Sequence, residues 1–268
     1  MNQTQDFTKG VIWKQLLFFF FPILIGSFFQ QLYNTVDTII VGQTVGTSAL
    51  AAVGSTGNLT NLIINFYVGL STGASVVIAQ YYGAQNNKKI HQAVHTSYIL
   101  AIVSGIIMML FGLFFSYQCL DAIGTPHDIL NDATLYMQLY FLCMIPGAIY
   151  NIGAGILRAV GDSKRPLYYL IVCSIVNVVF DFIFVVIFHQ GIAGAAIATV
   201  IAQFVCAILV TIQLMRTNEV YKLTLSKMKF HLPVLKKIIM IGAPAGIQST
   251  MYSISNIVLQ SHINAFGT

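Results

Sequence analysis

Long uncharged apolar runs are the feature that most limits what this chain can fold into. Several of them exceed the roughly 18 to 20 residues that a helix needs to cross a bilayer. Charged residues make up only 8% of the chain, far below the roughly 25% of a soluble domain. A soluble core could not cover this much apolar surface. The sequence therefore predicts an all-α integral membrane protein.

We predict seven spanning helices. Their cores are Leu16–Gly42, Ala51–Gln80, Val94–Tyr117, Thr134–Leu157, Leu167–Phe188, Gly191–Met215 and Leu235–Ala265. The 13 Lys and Arg fall before the first span or around the connections that follow the second, fourth and sixth. Connections rich in Lys and Arg stay on the cytoplasmic side. The alternation predicts a cell-membrane protein with a cytoplasmic N-terminus, and it explains the net charge of +5 without nucleic-acid binding.

The seventh span repeats the pattern of the first. With Pro22 set against Pro244, the Ser and Asn that follow each proline also align. Six spans return the chain to the cytoplasm, so a second copy would start in the same orientation, as in transporters built from parallel repeats. We therefore expect a six-helix N-terminal lobe in residues 1–229. Residues 230–268 are expected to begin a second, repeated lobe whose remainder is missing from this sequence.

Only two of the eight acids, Asp37 and Asp181, lie inside predicted spans. A charge at mid-membrane costs about 2.5 to 3.5 kcal/mol on insertion scales, so such residues usually mark function. At 1.5 Å per residue, Asp37 lies about 8 Å, Asp181 about 10 Å and Thr199 about 12 Å from the outer ends of their helices. Asn177 precedes Asp181 by four residues and shares its helix face.

These four side chains predict a coupling site for H⁺ or Na⁺. Hard cations prefer carboxylate, amide and hydroxyl oxygens, and the same oxygens serve either ion. Two carboxylates close together in a low dielectric cannot both stay ionised cheaply, so one is expected to bind a proton. The alternative is a protonated aspartate that only hydrogen bonds to a neighbouring helix. Periodicity alone does not decide whether the first span packs beside the fifth and sixth.

Other residues inside the spans are weaker candidates. Polar side chains that line a cavity or bond between helices are Gln30, Gln31, Tyr33, Asn34, Asn61, Asn65 and Asn151. Pro22 and Gly26 are hinge candidates in the first span, and the spacing of Gly69 and Gly73 predicts a close helix contact. The cysteines have no metal-ligand spacing. Because no nucleophile–base pair or metal set appears, we predict no catalytic residue and no enzyme.

A longer motif carries a family resemblance. The stretch GILRAVGDSKRP begins at Gly155 and includes Arg158, Gly161, Asp162 and Pro166. It resembles the loop signature of the multidrug and toxic compound extrusion (MATE) transporters. The Asn–Asp pair of the fifth span follows at the right distance, and the first two spans resemble the family as well. The resemblance covers essentially the whole chain.

This resemblance implies two six-helix lobes around a V-shaped cavity, with alternating access driven by an ion gradient. It also implies that Asp37, Asn177, Asp181 and Thr199 form the cation or proton site of the first lobe. Another branch of the family carries a Glu early in the seventh span, where Gln248–Ser253 has no acid here. That absence favours coupling in the first lobe.

The expected function is therefore a cation-coupled antiporter that exports amphipathic, often cationic organic compounds. H⁺ or Na⁺ would be its coupling ion, and no other cofactor is expected. The bilayer, the organic substrates and the missing second lobe would be its partners, and the full-length protein is expected to be monomeric. The alternative is a flippase for lipid-linked precursors. Such a protein needs cationic side chains in its cavity, and the interiors of the predicted spans lack them.

Overall fold

In a computed structural model, which describes residues 11–264, nearly every residue is helical and that range contains no strand. The helices are α1 (Ile12–Thr44), α2 (Thr47–Gly83), α3 (Asn87–Ala122), α4 (His127–Phe141), α5 (Met144–Ala159), α6 (Lys164–Asp181), α7 (Gly191–Arg216) and α8 (Leu232–Asn264). A π-helix, Phe182–Ile187, continues α6. A 3₁₀ turn, Leu225–Lys227, lies between α7 and α8. The predicted all-α class is confirmed.

Five of these helices are long and apolar enough to cross a membrane: α1, α2, α3, α7, and α6 with its π-helical extension. Together α4 and α5 would form a sixth span that is bent by 47°. The predicted seventh span is α8, a helix of 33 residues. Its predicted end, Ala265, lies outside the described residues, as do residues 1–10 and 266–268 of the two predicted lobes. The lobe boundary after residue 229 stays a prediction.

The fourth span is not one unbroken helix, so the prediction for Thr134–Leu157 is wrong at its middle. Pro146 has no N–H, so the carbonyl of Leu142 loses its helical partner. The chain leaves α4 there and restarts as α5, whose first turn is closed by the N–H of Gly147 donating to the carbonyl of Cys143 at 2.7 Å. The proline was visible in the sequence, but its effect on the helix was not.

The predicted fifth span, Leu167–Phe188, is one continuous span, but its last part is not α-helical. The backbone widens to a π-helix directly after Asp181. The N–H of Phe188 donates to the carbonyl of Ile183, five residues earlier, at 2.9 Å. Short π-helical turns occur often at functional sites. The apolar letters FIFVVI contain no residue that signals such a change.

At one edge of the bundle, α1 packs against α6, the π-helix and α7. The first span therefore does lie beside the fifth and sixth, the question that periodicity left open. At Gly26, a Cβ would come within 3.2 Å of the Leu170 side chain on α6. Much of α1 is otherwise exposed, with Trp13 and Phe18 facing outward. The helix continues through Pro22 without a break.

The predicted close contact at Gly69 and Gly73 is confirmed, and its partner is α8. A Cβ on Gly242 would lie 3.1 Å from the carbonyl oxygen of Gly69, and one on Gly246 would lie 3.4 Å from that of Phe66. Each helix thus presents two glycines, four residues apart, to the other. Small residues at this spacing let two helix backbones approach closely. The contact joins the start of the predicted second lobe to the first.

Candidate functional site

The predicted coupling residues of the fifth and sixth spans meet inside the bundle. From α6, the side-chain amide of Asn177 donates to the hydroxyl oxygen of Thr199 on α7 at 3.3 Å. The Thr199 hydroxyl in turn donates to the carbonyl of Ala195 at 3.1 Å. One turn further along α6, Asp181 has no exposed surface (0%). A spacing of four residues on α6 places Asn177 and Asp181 on the same face.

The chain reverses sharply between α6 and α7, and this reversal sets the position of Thr199 along the axis of the helix bundle. His189 has φ 51° and Gly191 has φ 60°, both in the left-handed region. Glycine enters that region without steric cost, whereas most other residues resist it. The N–H of Gln190 donates back to the carbonyl of Phe184 at 2.9 Å, which closes the turn. The tight reversal brings the first turns of α7 alongside the last turns of α6.

The fourth predicted residue, Asp37, reaches the same site from α1. Only 8% of its surface is exposed. Val41, one turn after Asp37, packs in one buried cluster with Val185, one turn after Asp181, and with Ala195, one turn before Thr199. The structure therefore brings together all four residues that the depth count placed at one level. Their role as cation ligands stays a prediction.

The site has more buried oxygens than hydrogen-bond donors. Both carboxylate oxygens of Asp181, Oδ1 of Asp37 and Oδ1 of Asn177 are buried without a hydrogen-bond partner within residues 11–264. The one ion pair in that range, Arg165 with Asp162, involves neither intramembrane acid. A buried polar group without a partner is costly, and a buried unpaired charge costs far more. Chemically, these oxygens suit a proton or a hard cation.

A small apolar cluster encloses the site on its outer side. Its buried members are Val41, Ala49, Tyr136, Val185, Ile192, Ala195 and Ala196. The cluster joins residues of α1, α2, α4, α7 and the π-helix. Apart from the Tyr136 hydroxyl, these side chains offer no competing ligand, and they lower the dielectric around the carboxylates. A low dielectric strengthens every charge interaction at the site.

Sequence reasoning missed one member of the site, Tyr136 of α4. It is buried, and it interacts electrostatically with both Asp37 and Asp181. A tyrosine hydroxyl can donate to a carboxylate or accept from a proton carrier. The depth count did not find it, because the predicted fourth span starts at Thr134, only two residues before Tyr136, whereas α4 starts at His127. Counted from His127, Tyr136 lies nine residues along the helix, about 14 Å at 1.5 Å per residue and close to the level of Thr199.

The comparisons with known proteins agree with this geometry. The family model described as MatE matches residues 22–183, which include Asp37, Asn177 and Asp181. The chain belongs to the MatE family. A relative described as "Probable multidrug resistance protein YoeA", from Bacillus subtilis strain 168, is 28% identical over 272 residues. That match covers 99% of this chain and 59% of the relative.

Solved MATE structures share the fold. A crystal structure of MATE in the straight conformation has a TM-score of 0.83 and 28% identity, and it covers 90% of this chain and 54% of that chain. A crystal structure of MATE in the bent conformation has a TM-score of 0.81 and 28% identity, and it covers 87% and 52%. This MatE chain therefore spans less than two thirds of the length of the relatives that it matches.

The signature loop of this MatE chain is explained by the turn between α5 and α6. Gly161 has φ 87°, as a helix-ending glycine requires, and the N–H of Asp162 donates to the carbonyl of Leu157 at 2.9 Å. One oxygen of Asp162 accepts from the backbone N–H of Arg165 at 3.1 Å, and the other pairs with its guanidinium at 3.1 Å. The carbonyl of Pro166 accepts from the buried Tyr150 hydroxyl at 3.2 Å.

Two further signature residues lie on α5. Gly155 lies against Ser71 of α2, where a Cβ would come within 3.0 Å of the Ser71 carbonyl oxygen. Arg158, in the last turn of α5, interacts electrostatically with Tyr150 of the same helix. The described contacts of the signature thus fix the α5–α6 corner and the packing of α5 on α2. The motif therefore builds the scaffold that carries Asn177 and Asp181, some distance from the site itself.

The weaker candidates are spread over several surfaces of the MatE chain. Tyr33 is buried and hydrogen bonds to the side chain of Gln30. Asn151 donates to the carbonyl of Gly147 in its own helix at 2.9 Å. The exposed ones are Gln31, Asn34 and Asn61, and Asn65 is half-buried. A cavity-lining role for these residues stays a prediction.

Proposed function

We propose that the full-length protein is a cation-coupled antiporter that exports amphipathic, often cationic organic compounds across the cell membrane. The observation that carries the proposal is the set of buried, unpartnered carboxylate oxygens of Asp181 and Asp37. Membership of the MatE family and relatives described as multidrug resistance proteins support export as the direction. The Lys and Arg distribution supports a cytoplasmic N-terminus, with the carboxylates in the outer half of the membrane.

In this mechanism, H⁺ or Na⁺ enters from the outside and binds between the two carboxylates. With no cation bound, the two negative charges repel across a low-dielectric gap. With one bound, the repulsion becomes attraction. Because Asp37 belongs to α1 and Asp181 to α6, the cation favours one arrangement of these helices over another. A ligand shifts a conformational equilibrium only through such a difference in affinity.

The moving element would be α1, which bends at Pro22 or Gly26 and displaces the substrate outward by alternating access. Two observations support this choice. Much of the surface of α1 is exposed, so it has fewer packing contacts to break than α2 has. A proline within a helix removes one backbone hydrogen bond and lowers the cost of bending. Relatives crystallised in straight and bent conformations support two stable states for the family.

The test is drug efflux by the full-length protein in proteoliposomes, with Na⁺ and pH gradients imposed independently. Asp181→Asn should abolish gradient-driven efflux while leaving the protein folded. Asp132→Asn, an exposed aspartate of α4, is the matched control and should transport normally. Coupled transport at the wild-type rate by Asp181→Asn would disprove the proposed coupling site. Whichever gradient drives the wild type identifies the ion.

A further inference from the structure

A tyrosine at the end of α2 is contacted by two lysines from different helices. Nζ of Lys89, in the first turn of α3, lies 5.5 Å from the ring centre of Tyr81. Nζ of Lys237, near the start of α8, lies 5.5 Å from the same centre. The two ammonium groups are thus no further apart than twice that distance. The cluster Tyr81–Lys89–Lys237 joins α8 to α2 and α3 at one end of the bundle.

The three helices that carry the cluster supply no nearby acid to balance these two charges. The helices α2 and α8 contain no Asp or Glu, and the only acid of α3 is Asp121, at its opposite end. Within residues 11–264, neither Lys89 nor Lys237 forms an ion pair. Two like charges that converge without a carboxylate repel each other unless an anion joins them. The anion must then come from outside these helices.

The ring of Tyr81 binds the two lysine ammonium groups more weakly than an anion would. An exposed cation–π contact is among the weaker charge interactions in proteins, whereas hydrogen bonds from an ammonium to a phosphate are charge-assisted and strong. Lysine has a flexible stem, so each amine can swing from the ring to a phosphate at the ring edge. Both side chains are exposed and Tyr81 is half-buried, so an anion can reach them.

The backbone holds the cluster in place. Asn86 caps α3, its side-chain oxygen accepting from the backbone N–H of Lys89 at 3.1 Å. The N–H of Asn86 also donates to the carbonyl of Tyr81 at 3.0 Å. The α2–α3 turn therefore fixes the ring and the base of one lysine together. Only the contact with Lys237 crosses to the helix that begins the predicted second lobe.

We propose that Tyr81, Lys89 and Lys237 form a binding site for the phosphate of an anionic phospholipid, which bridges α8 to α2 and α3. A lipid is the expected source because the site lies at the ends of membrane-spanning helices, on the side that the Lys and Arg distribution assigns to the cytoplasm. Anionic lipids concentrate in that leaflet and attract basic side chains. The proposal is independent of the exported compound and of the coupling ion.

The experiment uses the full-length protein in nanodiscs of phosphatidylcholine, alone or mixed with phosphatidylglycerol. Native mass spectrometry counts the retained phosphatidylglycerol, and titration gives its affinity. The variant is Lys89→Gln with Lys237→Gln. We expect the affinity to fall about fivefold for each lysine removed, the factor equivalent to about 1 kcal/mol per basic residue near a membrane surface. The thermal stabilisation by phosphatidylglycerol should fall with it.

The matched control is Lys88→Gln with Lys236→Gln, which removes the same charge from the neighbouring exposed lysines. It should retain most of the wild-type affinity. An equal loss in both double variants would mean diffuse attraction and would overturn the site. A second arm adds inorganic phosphate to discs of phosphatidylcholine alone. Stabilisation there as large as that by phosphatidylglycerol would overturn the choice of a lipid.

Discussion

Two buried polar sites in this molecule differ in how their hydrogen bonds are satisfied. At the inner end of α3, His95 is 1% exposed. With its proton on Nδ1, the ring donates to the carbonyl of His91 at 2.7 Å and accepts from the backbone N–H of Thr224 at 3.1 Å. At the predicted coupling site, by contrast, both carboxylate oxygens of Asp181 lack a hydrogen-bond partner within residues 11–264. The hydrogen bonds of the first site are satisfied, and those of the second are not.

The completed site holds the connection between α7 and α8 in place. That connection buries Tyr221 and Leu223, and the N–H of His231 donates to the hydroxyl of Thr96 at 3.2 Å. His95 adds the bond to Thr224 midway along it. Satisfied buried networks make a structure rigid, whereas unsatisfied ones carry a cost that evolution retains for a function. The comparison therefore assigns a structural role to His95 and supports the proposed ion binding at Asp181.

The largest effect is expected for Asp181→Asn, which should abolish transport without lowering the stability of the protein. Asp181→Asn removes a buried carboxylate that forms no ion pair within residues 11–264, so the melting temperature should stay the same or rise. Gradient-driven efflux should fall to the background of empty liposomes. Thermal unfolding and efflux are measured on the same preparation. A marked fall in melting temperature would indicate a structural role and erase the contrast with His95.

The next effect concerns Asn177, whose amide oxygen is unpartnered and whose amide nitrogen bonds to Thr199. Asn177→Leu removes both groups at similar volume. If the ion is Na⁺, its affinity should fall about 10- to 100-fold, the usual cost of disturbing a metal site. Isothermal titration with Na⁺ measures this. Asn61→Leu, at an exposed position, is the control and should bind Na⁺ like the wild type.

His95→Leu should act on stability alone. The substitution leaves the N–H of Thr224 buried without its acceptor, which costs about 1 to 3 kcal/mol. Chemical denaturation or thermal unfolding of the detergent-solubilised protein measures the loss, and efflux per folded molecule should be retained. His91→Leu is the comparison variant, since that ring only stacks on His95, with ring centres 4.0 Å apart. An equal loss in both variants would point to stacking as the source of stability.

The smallest effect is expected at Tyr136. Tyr136→Phe keeps the ring in its apolar cluster but removes a hydroxyl dipole near the two carboxylates. Because both Asp181 oxygens and Oδ1 of Asp37 have no hydrogen-bond partner in the described part of the chain, the loss should be smaller than the about 1.5 to 3 kcal/mol of a hydrogen bond to a charged group. We expect ion-driven efflux to fall roughly tenfold or less, with melting temperature nearly constant. No change in the ion dependence of transport would remove Tyr136 from the site.

The coupling residues were predictable because acids are rare in membrane spans and each one stands out. Asp37 and Asp181 could be placed in depth by counting residues from the helix ends, and the structure brings them together. Tyr136 was missed because the chain has 13 tyrosines, and nothing in the letters separates a ligand from a packing residue. Which helices are neighbours depends on tertiary packing, which periodicity does not record.

Irregular backbone geometry is the second feature of the structure that could not be predicted from the sequence. Pro146 marked a weak point in the fourth span, but neighbouring helices decide whether such a helix bends or stays straight. The π-helix after Asp181 arises in an apolar stretch without glycine or proline, Phe182–Ile187, so no residue announces it. Propensity and hydrophobic pattern describe regular helices. Departures from regularity are set by the fit between helices, and here they occur next to the carboxylates.

The glycine crossing of α2 and α8 has a mechanical consequence. Most helix pairs interlock, with side-chain ridges of one seated in grooves of the other. At Gly69 and Gly242 the contact is backbone on backbone, and no side chain there is trapped between the helices. A side chain added at Gly69 would meet the backbone of α8, so it would force the two helices apart. The distance between α2 and α8 is therefore set by their peptide groups, and the loss of one glycine would change how the start of the predicted second lobe sits on the first.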